Sequence, residues 1–369
     1  MKSFIATLFL LLFCSISLFA QQADVIRGVV IQQETQEPIP GAQVFINGTT
    51  LGTLSDSLGN FILKDVPIGI VEVVVRVLGF EYASFKVNTN SIETEYRVEL
   101  KEKVYELDQI TVSPDPEEWK INFEQFRKVF IGQGPFSDET KIKNKEDLNF
   151  EYDVKQNKLI AFAYDKLIIE NKALGYEIYF YLENFQIDFT NRTNTFSGQT
   201  QFIPLKSRRK RTQRRWEANR ELAYKGSFLH FSQSLIANRS VDEGFVVKWE
   251  KREDKARYIT RDTIATETYF QKVKQEEYLF RFDNFINVQF MGEFEDPSYL
   301  RSIASVFDSN PRTLVDYQVS SVTLLADSVR MDKNAYVYNP TDLLFDGYWS
   351  FESVSDMLPL DYSMLKKDD

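Results

Sequence analysis

The chain has 369 residues, a formal net charge of −10, and 31 phenylalanines and 18 tyrosines. This length allows two hydrophobic cores, and the aromatic content favours strand-rich units. The single cysteine, Cys14, and the single histidine, His230, exclude an internal disulfide and any zinc site built on several cysteines or histidines.

The first twenty residues read MKSFIATLFLLLFCSISLFA. Lys2 precedes an apolar run that ends at Ala20, a pattern typical of a secretory signal. A membrane anchor is the alternative, but it needs about 20 apolar residues and a flank that stops transfer. Phe13 is bulky for a lipid-attachment site at Cys14. We therefore expect export to the periplasm or outer membrane, the cell surface included, and no transmembrane segment in the mature chain.

Short strand patterns separated by turn residues occupy the next part of the chain. The expected strands are VIRGVVI (25–31), AQVFI (42–46), FILKDV (61–66), VEVVVRVLGF (71–80), YRVEL (96–100) and DQITV (108–112). Turn signals recur about every 8–12 residues, which is typical of an antiparallel sandwich. These strands and the turns between them predict a β-sandwich of roughly seven strands, hence a seven-stranded fold, over residues 24–112.

The stretch GTTLGTLSDSLGNF (48–61) is rich in glycine. A phosphate-binding loop would need a lysine before a serine or threonine, and this stretch contains no lysine. A calcium loop would need several acidic or amide side chains at alternate positions, and Asp56 stands nearly alone. Turns between strands explain the glycines, so we expect neither a cofactor nor a metal here.

The same region resembles the carboxypeptidase-regulatory-like repeat of Bacteroidota envelope proteins. The matching residues are Gly28, Pro38, Gly41, Ala42, Gly48, Thr49, Gly52, Thr53, Asp56, Gly59, Phe61, Pro67, Gly69, Gly79 and Phe80. The resemblance covers about residues 25–112 and implies a transthyretin-like fold without catalytic residues of its own. LDQITVSP (107–114) resembles the segment that enters TonB-dependent receptors, but too few residues follow it for a complete transporter.

Pro114 and Pro116 predict a linker at 113–118. After it, PEEWKINFEQFRKVFIGQG (116–134) has aromatic residues at helical spacing and predicts an amphipathic helix. Strand patterns return at 146–205, and a second helix is expected over 214–238. Further strands follow from residue 245.

Residues 119–369 are therefore expected to form a larger β-rich domain with two or so helices. This region resembles the uncharacterised C-terminal half found beside the regulatory-like module in the same envelope proteins. That resemblance implies no known activity.

The single histidine and the four tryptophans are candidates for a catalytic and a sugar-binding role, respectively. His230 would have to serve any Ser-His-Asp arrangement, but no Gly-x-Ser-x-Gly motif occurs in the chain. We expect a buried histidine bonded to the backbone. The four tryptophans could form a sugar platform, but their spacing is typical of core residues.

The segment KSRRKRTQRR (206–215) is strongly basic within an acidic chain. An anionic envelope component is one candidate partner, and a solvated loop leading into a helix at Trp216 is the alternative. A nucleic-acid partner is disfavoured, because most of the surface would repel phosphates. The candidate anion-contact residues are Lys206, Arg208, Arg209, Lys210, Arg211, Arg214 and Arg215.

The sequence thus predicts a mainly β, exported, non-enzymatic binding or assembly module of the cell envelope, partnered by another envelope protein or an anionic envelope component. No catalytic, cofactor-binding or metal-binding residue is expected. The alternative is a hydrolase that acts on envelope glycan or peptide through two carboxylates of the second domain. Two close acidic side chains with a raised pKa in a cleft would favour the hydrolase. An apolar surface patch would favour the binding module.

Overall fold

The computed structural model describes residues 25–91, 95–103, 115–253, 256–274, 277–307 and 316–362. The expected secretory signal, Cys14 and the strand expected at 108–112 lie outside the described residues. The described part of the expected linker, 115–118, holds the N-cap and the first turn of a helix.

Seven short strands form an N-terminal sandwich, as the sequence predicts. They are β1 (Ile26–Gln32), β2 (Gln43–Ile46), β3 (Gly52–Leu54), β4 (Asn60–Leu63), β5 (Ile70–Arg76), β6 (Ala83–Asn88) and β7 (Tyr96–Leu100). One sheet has the order β4-β1-β7, in which β7 runs parallel to β1. The other has the antiparallel order β3-β2-β5-β6. Valine, isoleucine and phenylalanine side chains between the two sheets form one core.

Two of the three glycines of the 48–61 stretch serve turns, as expected, whereas Gly52 begins strand β3. Gly48 (φ +75°) and Gly59 (φ +75°) have left-handed backbones, which glycine adopts without steric cost. Asp56 accepts hydrogen bonds from the Leu58 and Asn60 amides, and these bonds lower the pKa of its carboxyl group. This carboxylate therefore closes a turn.

The chain from residue 115 onward, here called the C-terminal unit, begins with helix α1 (Pro116–Phe130). Asp115 caps it, and Glu117 and Glu118 lie in its first turn. The helix packs Phe126 and Phe130 onto a six-stranded sheet, where they contact Phe185 and Phe180. The strands of that sheet are β8 (Thr140–Ile142), β9 (Leu148–Asp153), β10 (Lys158–Ala163), β11 (Leu167–Asn171), β12 (Tyr176–Asp188) and β13 (Thr193–Pro204).

Strand β12 organises this sheet. β11 and β10 pair with successive parts of one edge, and β13 pairs along the other. β8 and β9 extend the sheet beyond β11 and β10. Strand β13 therefore lies at an edge of the sheet.

Two further antiparallel sheets and the remaining helices complete the C-terminal unit. A five-stranded sheet has the order β15-β14-β18-β19-β21, and a three-stranded sheet has the order β16-β17-β20. The strands are β14 (Phe245–Glu253), β15 (Ala256–Thr263), β16 (Phe270–Lys274), β17 (Glu277–Phe280), β18 (Phe285–Phe294), β19 (Tyr317–Leu324), β20 (Val329–Asp332) and β21 (Leu343–Gly347). The helices are α2 (Lys210–Tyr224), α3 (Phe228–Ile236), α4 (Thr266–Tyr269), α5 (Pro297–Phe307) and α6 (Tyr348–Phe351).

The single helix expected over 214–238 is wrong, because α2 and α3 are separate. Gly226 lies between them with a left-handed backbone (φ +76°). A Cβ atom there would lie 2.1 Å from Gln318 Oε1, so a side chain does not fit. Ser227 then caps α3 by accepting a hydrogen bond from the His230 amide. The pair Gly-Ser is a stop signal followed by a start signal.

Residues 353–362, the last described residues, contact several other elements and are here called the strap. The Val354 and Ser355 amides donate to the carbonyls of Phe130 and Ile131 at the end of α1. The Leu360 amide donates to the Gly48 carbonyl of the N-terminal sandwich (2.7 Å). The strap thus joins the end of α1 to the sandwich.

Candidate functional site

The outer face of the sheet β3-β2-β5-β6 packs against the C-terminal unit. Phe45 and Val74 are fully buried and form a small apolar cluster with Tyr181 of β12. The Phe45 and Tyr181 rings stack with their centroids 5.8 Å apart. Polar groups surround this cluster, since Tyr181 Oη donates to Gln43 Oε1 (2.7 Å) and Gln43 also bonds Gln201 of β13. The two units are therefore joined by a packed surface.

The turn at residues 47–50 covers the edge of β13. The Gly48 amide donates to the Thr200 carbonyl (2.8 Å), and the Phe202 amide donates to the Thr49 carbonyl (2.9 Å). Asn47 Oδ1 accepts from the Thr200 amide (2.9 Å). Because an open strand edge exposes unpaired backbone groups, this turn protects β13 from other strands.

A second contact lies beyond β20. Tyr336 Oη donates to Glu72 Oε2 (2.6 Å), and Asn334 Nδ2 donates to the Ile68 carbonyl (3.2 Å). Lys86 Nζ lies 4.1 Å from the centroid of the Tyr338 ring. The sandwich is therefore held at both β13 and the loop after β20, which fixes its orientation.

A cleft of about 550 Å³ opens at the rim of this interface. We call it the tyrosine cleft, since three tyrosines from both units line it: Tyr82, Tyr164 and Tyr181. Leu54 (64% exposed) and Leu78 (76% exposed) contribute large apolar side chains to its wall. Such side chains in one place are typical of a surface that binds a partner.

Arg76 is fixed in the tyrosine cleft. Its guanidinium carbon lies 3.9 Å from the centroid of the Tyr82 ring and 4.3 Å from that of Tyr181. Its Nε and Nη2 atoms both donate to Gln199 Oε1 (2.9 and 2.7 Å). Burial lowers the pKa of Arg76, and burial raises the pKa of Tyr181. The floor of the cleft is therefore aromatic around a hydrogen-bonded guanidinium group, and the acidic residues Glu81 and Asp165 also line the cleft.

A second, smaller cleft of about 190 Å³ lies within the C-terminal unit. We call it the acidic cleft, because Glu293, Glu352 and Asp356 line it beside the Tyr348 and Phe351 rings. Burial raises the pKa of Glu293, raises that of Glu352 well above its ordinary value, and raises that of Asp356 to about 6. Acidic side chains with raised pKa values in one cleft are a feature that favours the hydrolase alternative.

The local bonds of Asp356 have a structural explanation. Its Oδ2 atom accepts from Ser355 Oγ (2.8 Å) and from the Ser353 amide (3.2 Å). Both donors belong to the same strap, so the carboxyl group also stabilises the turn that holds the strap against α1.

His230 is buried and bonded to the backbone, as predicted from the sequence. Its Nδ1 atom accepts from the Gly226 amide (3.1 Å), and its Nε2 atom lies 2.9 Å from Glu243 Oε2. Burial lowers its pKa. The Tyr224 ring covers it, with centroids 4.7 Å apart. Through these contacts, His230 connects α3 to the residues that pack around it.

The predicted anion-contact residues lie together, but their secondary structure differs from the solvated loop considered above. Helix α2 begins at Lys210, so four of the seven residues belong to its first two turns. All seven side chains are exposed: Lys206, Arg208, Arg209, Lys210, Arg211, Arg214 and Arg215. Arg215 pairs with Glu139 (3.1 Å) at the inner end of the group.

One feature of the sequence indicates the interface between the two units. Strand β5 carries Val73, Val74 and Val75 in succession, and all three are buried. Uninterrupted apolar residues are typical of a strand that is covered on both faces. The acidic cleft had no comparable signal, because its carboxyl groups come from distant parts of the chain.

Neither a metal-binding cluster nor a membrane-spanning helix occurs within the described residues, 25–91, 95–103, 115–253, 256–274, 277–307 and 316–362. Within these ranges, no group of three or more histidine, cysteine, aspartate or glutamate side chains is placed to hold a metal ion. None of the helices in the same ranges combines the length and the apolar character needed to cross a membrane.

Comparison with known proteins gives a family for one part of the chain. Residues 26–112 match the model of the CarboxypepD_reg-like domain family. The TonB-dependent receptor SusC of Bacteroides thetaiotaomicron is 37% identical over 101 residues, which are 27% of this chain and 9% of that receptor. The chain therefore matches only a small share of the length of this relative.

Among solved structures, a 9R-lipoxygenase from Cyanothece PCC8801 is 11% identical and covers 60% of this chain and 49% of its own, with a TM-score of 0.16. A TM-score this low is no basis for a shared fold. The comparisons thus identify a regulatory-like domain within residues 26–112.

Proposed function

We propose that this chain is an exported, non-enzymatic binding module of the cell envelope, and that its tyrosine cleft receives another envelope protein. The observation that carries the proposal is the exposure of Leu54 and Leu78 in a cleft where the two units meet. The similarity of part of the chain to an envelope receptor supports the location.

The composition of the tyrosine cleft favours a protein partner. Tyrosine and arginine are enriched among the residues that dominate binding energy at protein interfaces. Arg76 is already positioned by Gln199 and two tyrosine rings, so binding would not have to order it. A partner that covers Leu54, Leu78 and Tyr82 would remove exposed apolar surface from water.

The test places a photo-reactive amino acid at Leu78 and, as a matched control, at Ile62. Ile62 is also an exposed apolar residue of the sandwich, but it lies on the other sheet. We expect irradiation of intact producing cells to link one envelope protein to position 78 and not to position 62. Leu54→Asp in the same chain should abolish that product, because it places a charge in the contact.

Identical products from both positions would contradict a specific contact at the cleft. Capture of cytoplasmic proteins alone would contradict export. A product that survives Leu54→Asp unchanged would show that the tyrosine cleft is not the binding surface.

The acidic cleft favours a second candidate, a hydrolase of envelope glycan or peptide. In that mechanism a protonated Glu352 would act as the general acid, since burial raises its pKa, and Asp356 would act as the base. The test is release of soluble fragments from isolated cell-wall material by the purified protein. Release that is lost in Glu352→Gln would support the hydrolase, and absence of release by the unaltered protein would contradict it.

A further inference from the structure

We infer that the exposed basic end of helix α2 is a contact site for a membrane surface that carries anionic phosphate headgroups. The basic end consists of the extended residues 206–209 and the first two turns of the helix, 210–215. The inference rests on the envelope location in the proposed function, and it is independent of the tyrosine cleft.

The charges of the basic end are unfavourable for the helix itself. The amino end of a helix carries partial positive charge and is stabilised by acidic side chains. Helix α1 follows this rule, with Asp115 as its cap and Glu117 and Glu118 in its first turn. Helix α2 has no acidic residue in its first turn, and Arg209 at its cap position makes no side-chain capping bond. External anions would remove this repulsion.

The basic residues also lie close to one another. Lys210 and Arg214, and Arg211 and Arg215, are each four positions apart and so are neighbours on the helix surface. Apart from the pair between Arg215 and Glu139, none of the seven side chains makes an ion pair with another described residue. Positive charge of this density thus remains available to a partner.

The rest of α2 is anchored, so the basic end has a fixed orientation. Trp216 Nε1 donates to the Lys172 carbonyl (2.9 Å), Asn219 Nδ2 to that of Ala173 (2.8 Å), and Arg220 Nε to that of Leu174 (2.7 Å). Three side chains of one helix face therefore hold a single turn of the six-stranded sheet. The basic end follows directly before this anchor.

The chemistry of the segment favours a lipid surface over a single bound phosphate. The basic side chains span about 140° of the helix circumference and continue into the preceding extended residues, so they meet a broad array of anions. Arginine matches phosphate oxygens with two parallel hydrogen bonds. No large apolar residue occurs between 206 and 215, so the contact is electrostatic and does not insert into the bilayer.

The experiment measures co-sedimentation of the purified protein with vesicles of phosphatidylcholine alone and with vesicles that also contain phosphatidylglycerol. The test variant carries Arg208→Gln, Arg209→Gln, Arg211→Gln and Arg214→Gln. The matched control removes the same charge at exposed lysines of other surfaces, with Lys64→Gln, Lys120→Gln, Lys128→Gln and Lys155→Gln. Arg215 is kept because it pairs with Glu139.

We expect binding to the anionic vesicles only, with a loss of about tenfold or more when salt rises from low to physiological concentration. The test variant should lose binding by at least about tenfold, and the control variant should retain it. The test variant should also unfold at the same temperature or higher, because like charges are removed from the start of the helix. That readout shows that lost binding is not lost folding.

Three results would overturn the inference. They are no binding to anionic vesicles, equal loss in the control variant, and release from vesicles by inorganic phosphate at a concentration too low to change ionic strength. The last would identify a discrete phosphate site. Vesicle binding without a photo-product at Leu78 would refute the proposed partner at the tyrosine cleft and leave the membrane contact standing.

Discussion

The two sheets of the N-terminal sandwich differ in what covers their outer faces. In the sheet β4-β1-β7 the residues alternate between buried and exposed, as in β4, where Phe61 and Leu63 are buried and Asn60 and Ile62 are exposed. In the sheet β3-β2-β5-β6, strand β5 buries three valines in succession. The first pattern belongs to a sheet with one solvated face, and the second to a strand that is covered on both faces.

This difference assigns a role to each side of the sandwich. The alternating sheet is free to face solvent, and the other sheet positions the sandwich on the C-terminal unit through Phe45 and Val74. Among the described residues, the sandwich is therefore packed against the C-terminal unit on one side only. The tyrosine cleft exists only because the two parts meet.

The largest expected effect comes from a charge on the covered face. Val74→Asp should lower the free energy of unfolding by about 3 kcal/mol or more, because it buries an unpaired carboxylate against Phe45 and Tyr181. Ile62→Asp, on the exposed face, should change it by less than about 0.5 kcal/mol. Urea denaturation of both variants measures the difference, and equal shifts would show that the two faces are equally solvated.

The pH dependence of stability should distinguish the buried Asp332 from Asp56 on its exposed turn. Burial raises the pKa of Asp332, next to the loop that contacts the sandwich, to about 6, against 3.8 ordinarily. Ionisation of Asp332 therefore lowers the free energy of unfolding. The stability contributed by the protonated group is fully present below about pH 4 and falls by about 3 kcal/mol as the pH rises through 6.

Asp332→Asn keeps an acceptor for the Asn334 and Tyr336 amides and should flatten this part of the stability profile. Asp56, on an exposed turn, has a lowered pKa, and so its contribution has the opposite sign and is lost as the pH falls. Unfolding of the unaltered protein and of Asp332→Asn, measured between pH 3 and pH 7, checks this prediction. A profile that Asp332→Asn leaves unchanged would contradict the buried ionisation.

The smallest expected difference in stability concerns the turn at residues 47–50, which covers the edge of β13. Gly41→Ala and Gly48→Ala both place a side chain on a left-handed backbone (φ +71° and +75°), which costs about 1 kcal/mol each. Only the Cβ at position 48 meets another part of the chain, Leu360 Cδ1 at 3.0 Å. We expect Gly48→Ala to be less stable than Gly41→Ala by up to about 1 kcal/mol. Equal thermal unfolding of the two would show that the strap does not press on this turn.

Local sequence patterns predicted much of the fold, and their failures have physical reasons. The aromatic spacing of 116–134 gave α1, whose buried residues include Phe123, Phe126 and Phe130. The expectation of one helix over 214–238 failed because apolar periodicity continues across Gly226, where the backbone reverses. The Gly-Ser pair would have revealed the break, since it combines a helix end with a cap.

The candidate sites differ in how far the sequence could predict them. The basic end of α2 is contiguous in the chain, so its seven residues were identified directly, although its helical start was not. The acidic cleft joins Glu293 to Glu352 and Asp356 through the folding of the five-stranded sheet and the strap. No spacing of residues in the sequence predicts that these three carboxyl groups lie in one cleft.

The sequence by itself determined the strands β1, β2, β4, β5 and β7 of the sandwich, the turns at Gly48 and Gly59, and the clustering of positive charge before Trp216. These depend on backbone preferences and on side chains that are neighbours in the chain. Only the tertiary structure decided that one sheet of the sandwich is covered, and that Tyr82 and Tyr181 enclose Arg76. Such contacts join residues about a hundred positions apart, where burial and geometry depend on the packing of whole sheets.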